Sequence, residues 1–403
     1  MDNDNLLSSL EIFSSLGINN DSIQEEIDLE ETKSDINLDI EEPHIVFYKN
    51  DLIKALNLGI GLIQPKSENI ALKSITLIPD KNNKRLYFHT TNDISYFRYS
   101  VELLGDNVLT DCISLPLVII QKLISLMGIR VAIYKKDNLY YIRLIGGDLI
   151  LDTQTPEAKY LNFPGKVGEK LAEIPVETLG NICKITLPLL SNDIRGENRK
   201  LYLTGEEVIY LSNIYYIKAK LKTPKMILKL KDVDYFNRLY KHFKNQNILV
   251  FKVEDSSLTR YIFFIDNTMY QTIISESSIS ELTKEQMDKM LSDIEMIIDF
   301  KYLNKLVSLA TNLPSSSGKI GFKRNEDNLQ ACISSTSGNS KFVIPVVQYY
   351  INKIDKDFKY VNAETLKRLV ISLGNVNEVE LSINEKSIII AYNNITAVFM
   401  NIN

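Results

Sequence analysis

Histidine and cysteine are scarce in this chain of 403 residues, which has three of each. None of the histidines has a Cys, Asp or Glu residue at the spacing of metal ligands, so the sequence predicts no metal site. The cysteines are odd in number and far apart, which favours buried thiols in a reducing cytoplasm over a disulfide framework. These residues are His44, His89, His242, Cys112, Cys183 and Cys332.

Segments that would direct the chain to a membrane or out of the cell are also lacking. No apolar run is long enough to span a bilayer. The first residues are acidic and do not combine a basic start with an apolar stretch, as a secretory signal would. We therefore expect a cytoplasmic protein, located at the nucleoid or in the cytoplasm of a host cell.

Motifs of catalysis and cofactor binding are absent as well. Ser316-Ser-Gly-Lys319 has the end of a phosphate-binding loop, but the leading glycine is missing and Ile320 replaces the Ser or Thr. Gly59 and Gly61 lack the third glycine of a dinucleotide-binding loop, and there is no Gly-x-Ser-x-Gly elbow. Carboxylates beyond the N-terminal region are scattered, with no pair spaced for acid–base catalysis. We therefore expect no enzyme activity and no cofactor.

Negative charge is concentrated at the N-terminus. Residues 1–42 contain thirteen acids and one base, Lys33, and therefore carry a net charge of −12. Because the whole chain carries −5, the remaining residues carry +7. A mildly basic body fits a polyanionic partner, and the charged N-terminal extension is expected to be disordered.

What the sequence does contain is a block that occurs three times, each copy an amphipathic helix followed by three short strands. The predicted helices run from Leu115 to Met127, from Asp232 to Lys244 and from Asn362 to Leu373. Asp and Asn are good N-caps, and Gly or Asn suits the position after a helix. A repeat of roughly 120 to 130 residues indicates three similar domains and not a solenoid of small repeats.

A second helix precedes each block, at 50–57, 175–186 and 299–310, and strands follow it again. Each third of the body therefore holds two helix-plus-antiparallel-strand units. The sequence predicts an α+β fold of three similar domains. The predicted domains are 43–165, 166–290 and 291–403, after the N-terminal extension of residues 1–42.

Four local segments carry a resemblance to a known family: His44–Asn57, Asp193-Ile-Arg195, Gly205–Asn213 and the last third from Phe358 to Met400. They resemble the bacterial-type DNA sliding clamp, the β subunit or processivity factor of replicative DNA polymerase. The sequence departs from that family at Ile214-Tyr215-Tyr216, where the family has Gly-His-Arg, and at Asn401, where it has Pro. A bias toward Asn, Ile and Lys indicates an AT-rich genome, and the departures suit a divergent member encoded by a phage or a mobile element. The resemblance covers residues 44–403.

The resemblance implies DNA-clamp domains whose sheets lie outside and whose helices line a central hole. Two protomers would join head to tail into a ring of six domains around duplex DNA, with twelve helices facing the hole. The ring would tether DNA polymerase as a processivity factor. It would need an ATP-driven clamp loader, because the sequence offers no nucleotide-binding motif.

Helices that face DNA should carry basic side chains on their exposed sides, since Lys and Arg bind phosphates without reading base sequence. The alternative is that an amphipathic helix shows such side chains to water wherever it lies. The predicted DNA-binding residues are Lys54, Lys122, Lys184, Arg195, Arg238, Lys241, Lys244, Lys301, Lys305, Lys367 and Arg368.

A groove for partner peptides is the second functional element that the resemblance implies. In this family, polymerases and loaders insert a short peptide of Gln-Leu-x-Leu-Phe type between the second and third domains. Apolar, Met-rich walls suit such a groove, although the same side chains equally fit the core at strand ends. The predicted cleft residues are Ser212, Ile214, Tyr215, Tyr216, Ile217, Val398, Met400 and Ile402.

The N-terminal extension contains Ser9-Leu-Glu-Ile-Phe13, which resembles such a peptide with Ser in place of Gln. One hypothesis is that the extension occupies the chain's own cleft, or that its acids enter the basic hole. The alternative, a disordered extension that aids solubility, is the more usual behaviour of charged tails.

Two other functional classes remain open. A docking hub of the same fold could act in transcription or repair regulation, and the identity of the bound peptide would separate it from a replication factor. An enzyme of unrecognised type would require a polar cleft with clustered acids or histidines, which the sequence does not supply.

Overall fold

The computed structural model describes most of the chain beyond the N-terminal extension. Ser9–Phe13, Arg195 and Ile214 lie outside the described residues, as does the segment 192–199 that contains Asp193-Ile-Arg195. The described residues are 40–105, 108–126, 128–144, 147–191, 200–212, 215–254, 258–274, 279, 281–312, 316–325, 328–335, 338–351 and 354–402.

Seven α-helices lie within this described part of the chain, and six of them correspond to the predicted helices. The short helix α5 was not predicted. None of the described helices is long and apolar enough to cross a membrane. The helices are α1 Lys49–Gly59, α2 Leu117–Ser125, α3 Val176–Ser191, α4 Leu230–His242, α5 Glu281–Asp288, α6 Phe300–Asn312 and α7 Ala363–Leu373.

Short strands connect the helices and pair antiparallel throughout. They are β1 His44–Tyr48, β2 Ser74–Asp80, β3 Arg85–Thr91, β4 Tyr96–Glu102, β5 Ile113–Pro116, β6 Arg130–Lys136, β7 Leu139–Leu144, β8 Gly147–Leu151, β9 Lys166–Pro175, β10 Lys200–Leu203, β11 Glu207–Leu211, β12 Tyr215–Lys220, β13 Met226–Lys229, β14 Asn247–Glu254, β15 Arg260–Ile265, β16 Thr268–Ile273, β17 Met296–Asp299, β18 Ser316–Arg324, β19 Leu329–Ser335, β20 Gly338–Ile344, β21 Val346–Tyr349, β22 Lys359–Asn362, β23 Glu378–Ile383, β24 Ser387–Tyr392 and β25 Ile395–Met400.

The described residues form two compact units. The first unit takes its residues from Met1–Leu171 and Asn247–Ile273, and the second from Ala172–Gln246 and Ile274–Asn403. This division follows spatial contacts, whereas the three predicted domains follow the sequence repeat. The domain boundaries at 165/166 and 290/291 therefore stay a prediction.

The first unit contains a four-stranded sheet in the order β1-β6-β7-β8 and an eight-stranded sheet in the order β5-β2-β3-β4-β16-β15-β14-β9. The larger sheet joins strands that are far apart in sequence, since Tyr99 of β4 pairs with Thr268 of β16. In the core, the rings of Phe47 and Phe88 meet edge to face at 5.3 Å, an arrangement that aromatic pairs favour.

The second unit contains a nine-stranded sheet in the order β13-β10-β11-β12-β25-β24-β23-β17-β21 and a four-stranded sheet in the order β20-β19-β18-β22. Four of its helices form a layer in which α4 packs on α3, α3 on α7 and α7 on α6. Strands β12 and β25 connect two predicted domains, because Tyr216 pairs with Val398 across the sheet.

Helix α7 matches its prediction at both ends. The Oδ1 of Asn362 accepts a hydrogen bond from the backbone N–H of Thr365 at 2.9 Å, which satisfies one of the unpaired donors at the helix start. Gly374 follows the helix with a φ of +72°, a conformation that favours glycine. Between these ends, Leu366 and Leu369 are buried at helical spacing.

Two predicted helix starts were wrong. Helix α2 begins at Leu117 and not at Leu115, because Leu115 and Pro116 pair with Ile75 and Ser74 in the sheet. Asp232 lies inside the first turn of α4 and is not the N-cap. Its Oδ2 accepts a hydrogen bond from the backbone N–H of Lys229 at 2.9 Å.

The cysteines were predicted to be buried, and Cys183 and Cys332 are buried. Cys112 is partly exposed, so the prediction was wrong for that residue. Burial raises the pKa of the Cys183 thiol well above its usual range, which keeps it protonated at neutral pH.

Gly180 allows α3 and α4 to pack closely. A Cβ atom added there would lie 2.6 Å from the Cγ atom of Tyr240. Gly180→Ala should therefore destabilise the second unit by about 1–3 kcal/mol through overpacking, despite the better helix propensity of alanine. Urea unfolding would measure the change, with the exposed Lys184→Ala on the same helix as the control. A Gly180→Ala protein as stable as wild type would contradict the close packing.

Candidate functional site

Basic side chains predominate on the six predicted helices. These helices contain eleven Lys or Arg residues and five Asp or Glu residues. The unpredicted helix α5 has the opposite balance, with one Lys and three acids. The basic excess is therefore a property of the repeated helices.

The predicted DNA-binding residues fall into two groups by exposure. Lys54, Arg238, Lys367 and Arg368 are partly buried, and Arg195 lies outside the described residues. The fully exposed residues are Lys122, Lys184, Lys241, Lys244, Lys301 and Lys305.

The partly buried residues have contacts within the protein. Arg238 forms an ion pair with Asp234 at 2.7 Å, and only 11% of its side chain is exposed. Arg368 lies 3.7 Å from Glu364, also one turn away. Because each arginine already interacts with a carboxylate one helical turn away, it attracts an external phosphate less strongly.

Lys54 is also turned toward the protein. Its Nζ lies 5.3 Å from the centre of the Tyr99 ring. Burial lowers the pKa of Lys54, while the negative charges of Asp266 and Asp51 oppose that shift. The exposed lysines are therefore better placed than Lys54 to contact a phosphate backbone.

Three helices of the second unit bring exposed lysines into one layer. Lys241 lies on α4, Lys184 on α3, and Lys301 and Lys305 on α6. On α6 the buried residues, such as Leu303, lie on the opposite side of the helix from these lysines. The layer thus presents positive charge on its solvent side, where Lys can bind phosphates without reading sequence.

The predicted cleft residues of β12 and β25 lie on neighbouring strands but on opposite faces of the sheet. Tyr215 stacks on Phe399 with ring centres 6.0 Å apart, and its hydroxyl donates to that of Tyr210 at 3.3 Å. The Tyr210 hydroxyl in turn donates to the carbonyl of Leu189 on α3 at 3.5 Å. Tyr215 therefore faces the helix layer, as does Ile217 two residues on.

Tyr216 and Val398 point to the other face of the sheet, which we call the far face. They belong to a buried apolar cluster with Ile209, Met287 and Ile389, which we call the far-face cluster. Strand alternation explains the split, because successive side chains of a strand point to opposite faces. Tyr216 and Val398 are thus the predicted cleft residues that meet on one surface.

The remaining predicted cleft residues lie near this pair. Ser212, Met400 and Ile402 are partly exposed, and Ile214 is outside the described residues. Met400 lies two residues after Val398 on β25, so its side chain points to the same side of the sheet, the far face. Ser212 closes the turn before β12, where its backbone N–H donates to the carbonyl of Tyr215 at 2.9 Å.

Solved structures of bacterial clamps match nearly the whole chain. A DNA polymerase sliding clamp from Bacillus subtilis aligns with a TM-score of 0.69 at 14% identity, covering 90% of this chain and 99% of that chain. A putative DNA polymerase III β subunit from Eubacterium rectale aligns with a TM-score of 0.70 at 13% identity, covering 89% and 99%. The chain has the fold of the bacterial DNA sliding clamp.

This fold was predicted from the sequence and is confirmed, as is the α+β class. A Helicobacter pylori β clamp bound to a DNA ligase peptide also shares it, with a TM-score of 0.70 at 15% identity over 89% of this chain and 100% of that chain. No family model matches the sequence, and no curated protein matches it. The clamp fold is therefore present in a sequence that is 13–15% identical to these three structures.

Several residues of the far-face cluster in this clamp fold were missed by sequence reasoning. Ile209 and Ile389 lie on β11 and β24, next to the two predicted strands. Met287 comes from α5, whose polar sequence gave no helix signal. The continuous apolar runs Val208-Ile-Tyr210 on β11 and Ile388-Ile-Ile390 on β24 are the sequence signal that could have found the first two, since such runs indicate buried strands.

A cavity of about 820 Å³ lies near the end of β12. Its lining includes Glu206, Glu207, Lys220, Lys222 and Asp288. Charged side chains outnumber apolar ones such as Pro175 and Leu221 in this lining, unlike the predominantly apolar walls of a pocket that binds a hydrophobic ligand. Among the described residues, no group of three or more His, Cys, Asp or Glu side chains is placed to hold a metal ion.

Proposed function

We propose that this chain is a DNA sliding clamp that encircles duplex DNA without sequence specificity and tethers the replicative DNA polymerase as a processivity factor. The observation that carries the proposal is the clamp fold over 89–90% of the chain, together with basic helices. The protein performs no chemistry itself. Its action is to keep a partner close to DNA, which raises the partner's effective concentration there.

The exposed helix lysines are the proposed DNA contacts. Lys184, Lys241, Lys301 and Lys305 lie on three helices of one layer, and Lys122 lies on α2 of the first unit. Contacts to phosphates position a protein on DNA but carry no sequence information. A ring held by such contacts can move along the duplex, because every register offers the same phosphates.

A closed ring requires more than one copy of the chain. We infer that two protomers, each with domains at 43–165, 166–290 and 291–403, join head to tail into a homodimer. A head-to-tail interface that closes after a fixed rotation produces a ring. An ATP-driven clamp loader would open it on DNA.

The far face of β12 and β25 is the proposed docking site for partners. Tyr216, Val398 and Met400 offer apolar side chains there. DNA polymerase and the clamp loader would bind by short peptides that place Leu and Phe side chains on this surface. Met-rich surfaces adapt to several such peptides.

Retention on circular DNA is the direct test of the ring. The protein, loaded with a clamp loader, should stay on a nicked circle through gel filtration and should leave after one restriction cut. The physical reason is that a topological link does not depend on affinity, so only free ends release it. Equal retention on circular and linear DNA would falsify the clamp proposal.

The helix lysines can be tested by measuring the affinity of the protein for duplex DNA at several salt concentrations. Replacing Lys184, Lys241, Lys301 and Lys305 by Gln should reduce the slope of log affinity against log salt by about 0.9 for each lost phosphate contact. The matched control replaces four lysines that are exposed outside the helices and should leave the slope unchanged. These are Lys66, Lys81, Lys341 and Lys386. If the slope fell by a similar amount in both variants, the helix lysines would not be the specific DNA contacts.

A further inference from the structure

The far face of the nine-stranded sheet is crossed by a segment of the same chain. We call residues 281–295 the strap, which consists of α5 and the turns that lead to β17. The hydroxyl of Tyr216 on β12 donates to the carbonyl of Met287 at 2.8 Å. Farther across the sheet, the hydroxyl of Ser387 on β24 donates to the carbonyl of Met290 at 2.8 Å.

The strap continues to the next strand and is fixed at its end. The hydroxyls of Ser292 and Ser382 lie 2.7 Å apart, and the backbone N–H of Glu295 donates to the carbonyl of Leu381 at 3.1 Å. Glu295 also forms a buried ion pair with Arg324. The C-terminal end is thus anchored, whereas α5 lies at the other end of the strap.

The strap buries the surface at which two predicted cleft residues meet. Tyr216 is 1% exposed and Val398 is 0% exposed. Met287 packs into the far-face cluster, and Met290 and Leu291 pack against it. Without the strap, this apolar surface would face solvent, as surfaces that bind protein partners commonly do.

Helix α5 is short, and most of its side chains that the structure describes are not buried. It has eight residues, and an isolated helix of that length is marginal in water. Among its described side chains, Met287 is buried, while Glu285, Gln286 and Asp288 are exposed. Segments with little buried apolar area open at low free-energy cost without global unfolding.

We propose that the strap occupies the partner-peptide site when no partner is present, and that a partner peptide binds by displacing it. This inference rests on the proposed function, because it assigns the far face as the docking site. Met287, Met290 and Leu291 supply the same kind of apolar side chains that a partner peptide would bring. The apparent affinity for the peptide is then reduced by the fraction of molecules with the strap in place.

Releasing the strap should strengthen peptide binding. In a Met287→Ser, Leu291→Ser protein, we expect a synthetic peptide containing Gln-Leu-Asp-Leu-Phe to bind at least about tenfold tighter than to wild type, since the occluded fraction falls. The control is Lys289→Ser, because Lys289 is exposed on the same segment. Unchanged or weaker binding in the released protein would overturn the proposal.

Tethering the strap tests the same proposal without weakening the apolar cluster. Ser292→Cys with Ser382→Cys places two thiols where adjacent hydroxyls now lie, within reach of a disulfide. Because residue 292 directly follows Met290 and Leu291, the disulfide should keep these two side chains against the far-face cluster. The oxidised protein should therefore bind the peptide more weakly than the reduced protein, and dithiothreitol should restore binding. Equal binding by the oxidised and reduced forms would show that the strap does not need to move.

The outcomes separate this proposal from the function on which it rests. If the peptide binds wild type, released and tethered proteins equally, the strap proposal fails and peptide docking stands. If the peptide binds none of them, docking at the far face fails, and the strap proposal fails with it. Retention of the wild-type protein on circular DNA tests the ring proposal in a separate measurement.

Discussion

Replacing Arg324 by methionine is expected to destabilise the second unit by about 3–5 kcal/mol, the usual effect of removing one partner from a buried ion pair. Arg324 is 1% exposed at the end of β18. Its Nε donates to Oδ2 of Asp355 at 2.8 Å, and its Nη1 forms an ion pair with Glu295. The substitution would leave two carboxylates without their cation in a buried place.

The Arg324 side chain connects segments that are distant in sequence. Glu295 precedes β17, and its Oε2 also accepts the backbone N–H of Ile383 at 2.9 Å. Burial lowers the pKa of Arg324, but the hydrogen bond to Asp355 and the charges of Glu295 and Asp355 outweigh it, so the pKa is raised overall. The guanidinium therefore stays charged and holds the two sheets of this unit together.

Urea unfolding monitored by hydrogen exchange in the second unit would measure the loss. The control is Arg368→Met on α7, because the Arg368–Glu364 pair is 28% and 55% exposed and should contribute less than about 1 kcal/mol. Adding Glu295→Gln and Asp355→Asn to Arg324→Met should recover part of the stability by removing the unpaired charges. Equal effects of the Arg324 and Arg368 substitutions would contradict the buried-pair account.

Acidification below pH 6.5 is expected to destabilise the first unit through His89. The imidazole is buried on β3, where Nε2–H donates to the carbonyl of Tyr160 at 2.6 Å. The ring lies against those of Tyr96 and Phe163. Burial, and then the positive charge of Arg98, lower the pKa of His89 to about 3.

The direction of the effect follows from the two protonation states. In the unfolded chain His89 takes up a proton near its ordinary pKa of 6.5, whereas the folded protein keeps it neutral down to about pH 3. The contribution of His89 to the free energy of unfolding is complete above pH 6.5 and is lost as the pH falls toward 3. The loss is about 1.4 kcal/mol for each pH unit, or roughly 4–5 kcal/mol in total.

The variant His89→Gln isolates this contribution. A glutamine amide can still donate to the Tyr160 carbonyl, but it does not titrate. The free energy of unfolding of the first unit should therefore fall less steeply with acid in the variant, by about 1.4 kcal/mol per pH unit. Both proteins keep His44 and His242, so the difference in slope reports His89 alone. Identical slopes would mean that His89 is protonated in the folded protein.

Local sequence signals predicted the helices well where caps and periodicity agreed. Helix α7 has Asn362 at its start, Gly374 after its end and buried Leu366 and Leu369 between them. The start of α2 was wrong because Leu115 has the apolar character of a helix residue but pairs with Ile75. At Leu115, pairing with a strand far away in sequence determines the conformation. Local sequence does not show this pairing, so the helix start could not be predicted from it.

Only part of the candidate site was predicted, again because local sequence does not show long-range strand pairing. Strand membership of Tyr216 and Val398 was predictable, and their antiparallel pairing was not. The strap was missed because α5 has few apolar residues and gains its position from the sheet beneath it. The ion pairs of Arg324 with Glu295 and Asp355 could not be predicted from the sequence, because the three residues share no motif and come together only through the sheets.

The pairing of β4 with β16 constrains the order of events during synthesis. Tyr99 leaves the ribosome long before its partner Thr268. Until then the edge of β4 has unpaired N–H and C=O groups, and such edges recruit other strands. Pairing β4 with β16 closes the long loop of chain between them, and closing such a loop is slow compared with pairing neighbouring strands. The eight-stranded sheet can therefore be completed only after the whole first segment of the second unit, Ala172–Gln246, has been translated. A chaperone that covers the edge of β4 should raise the yield of folded protein.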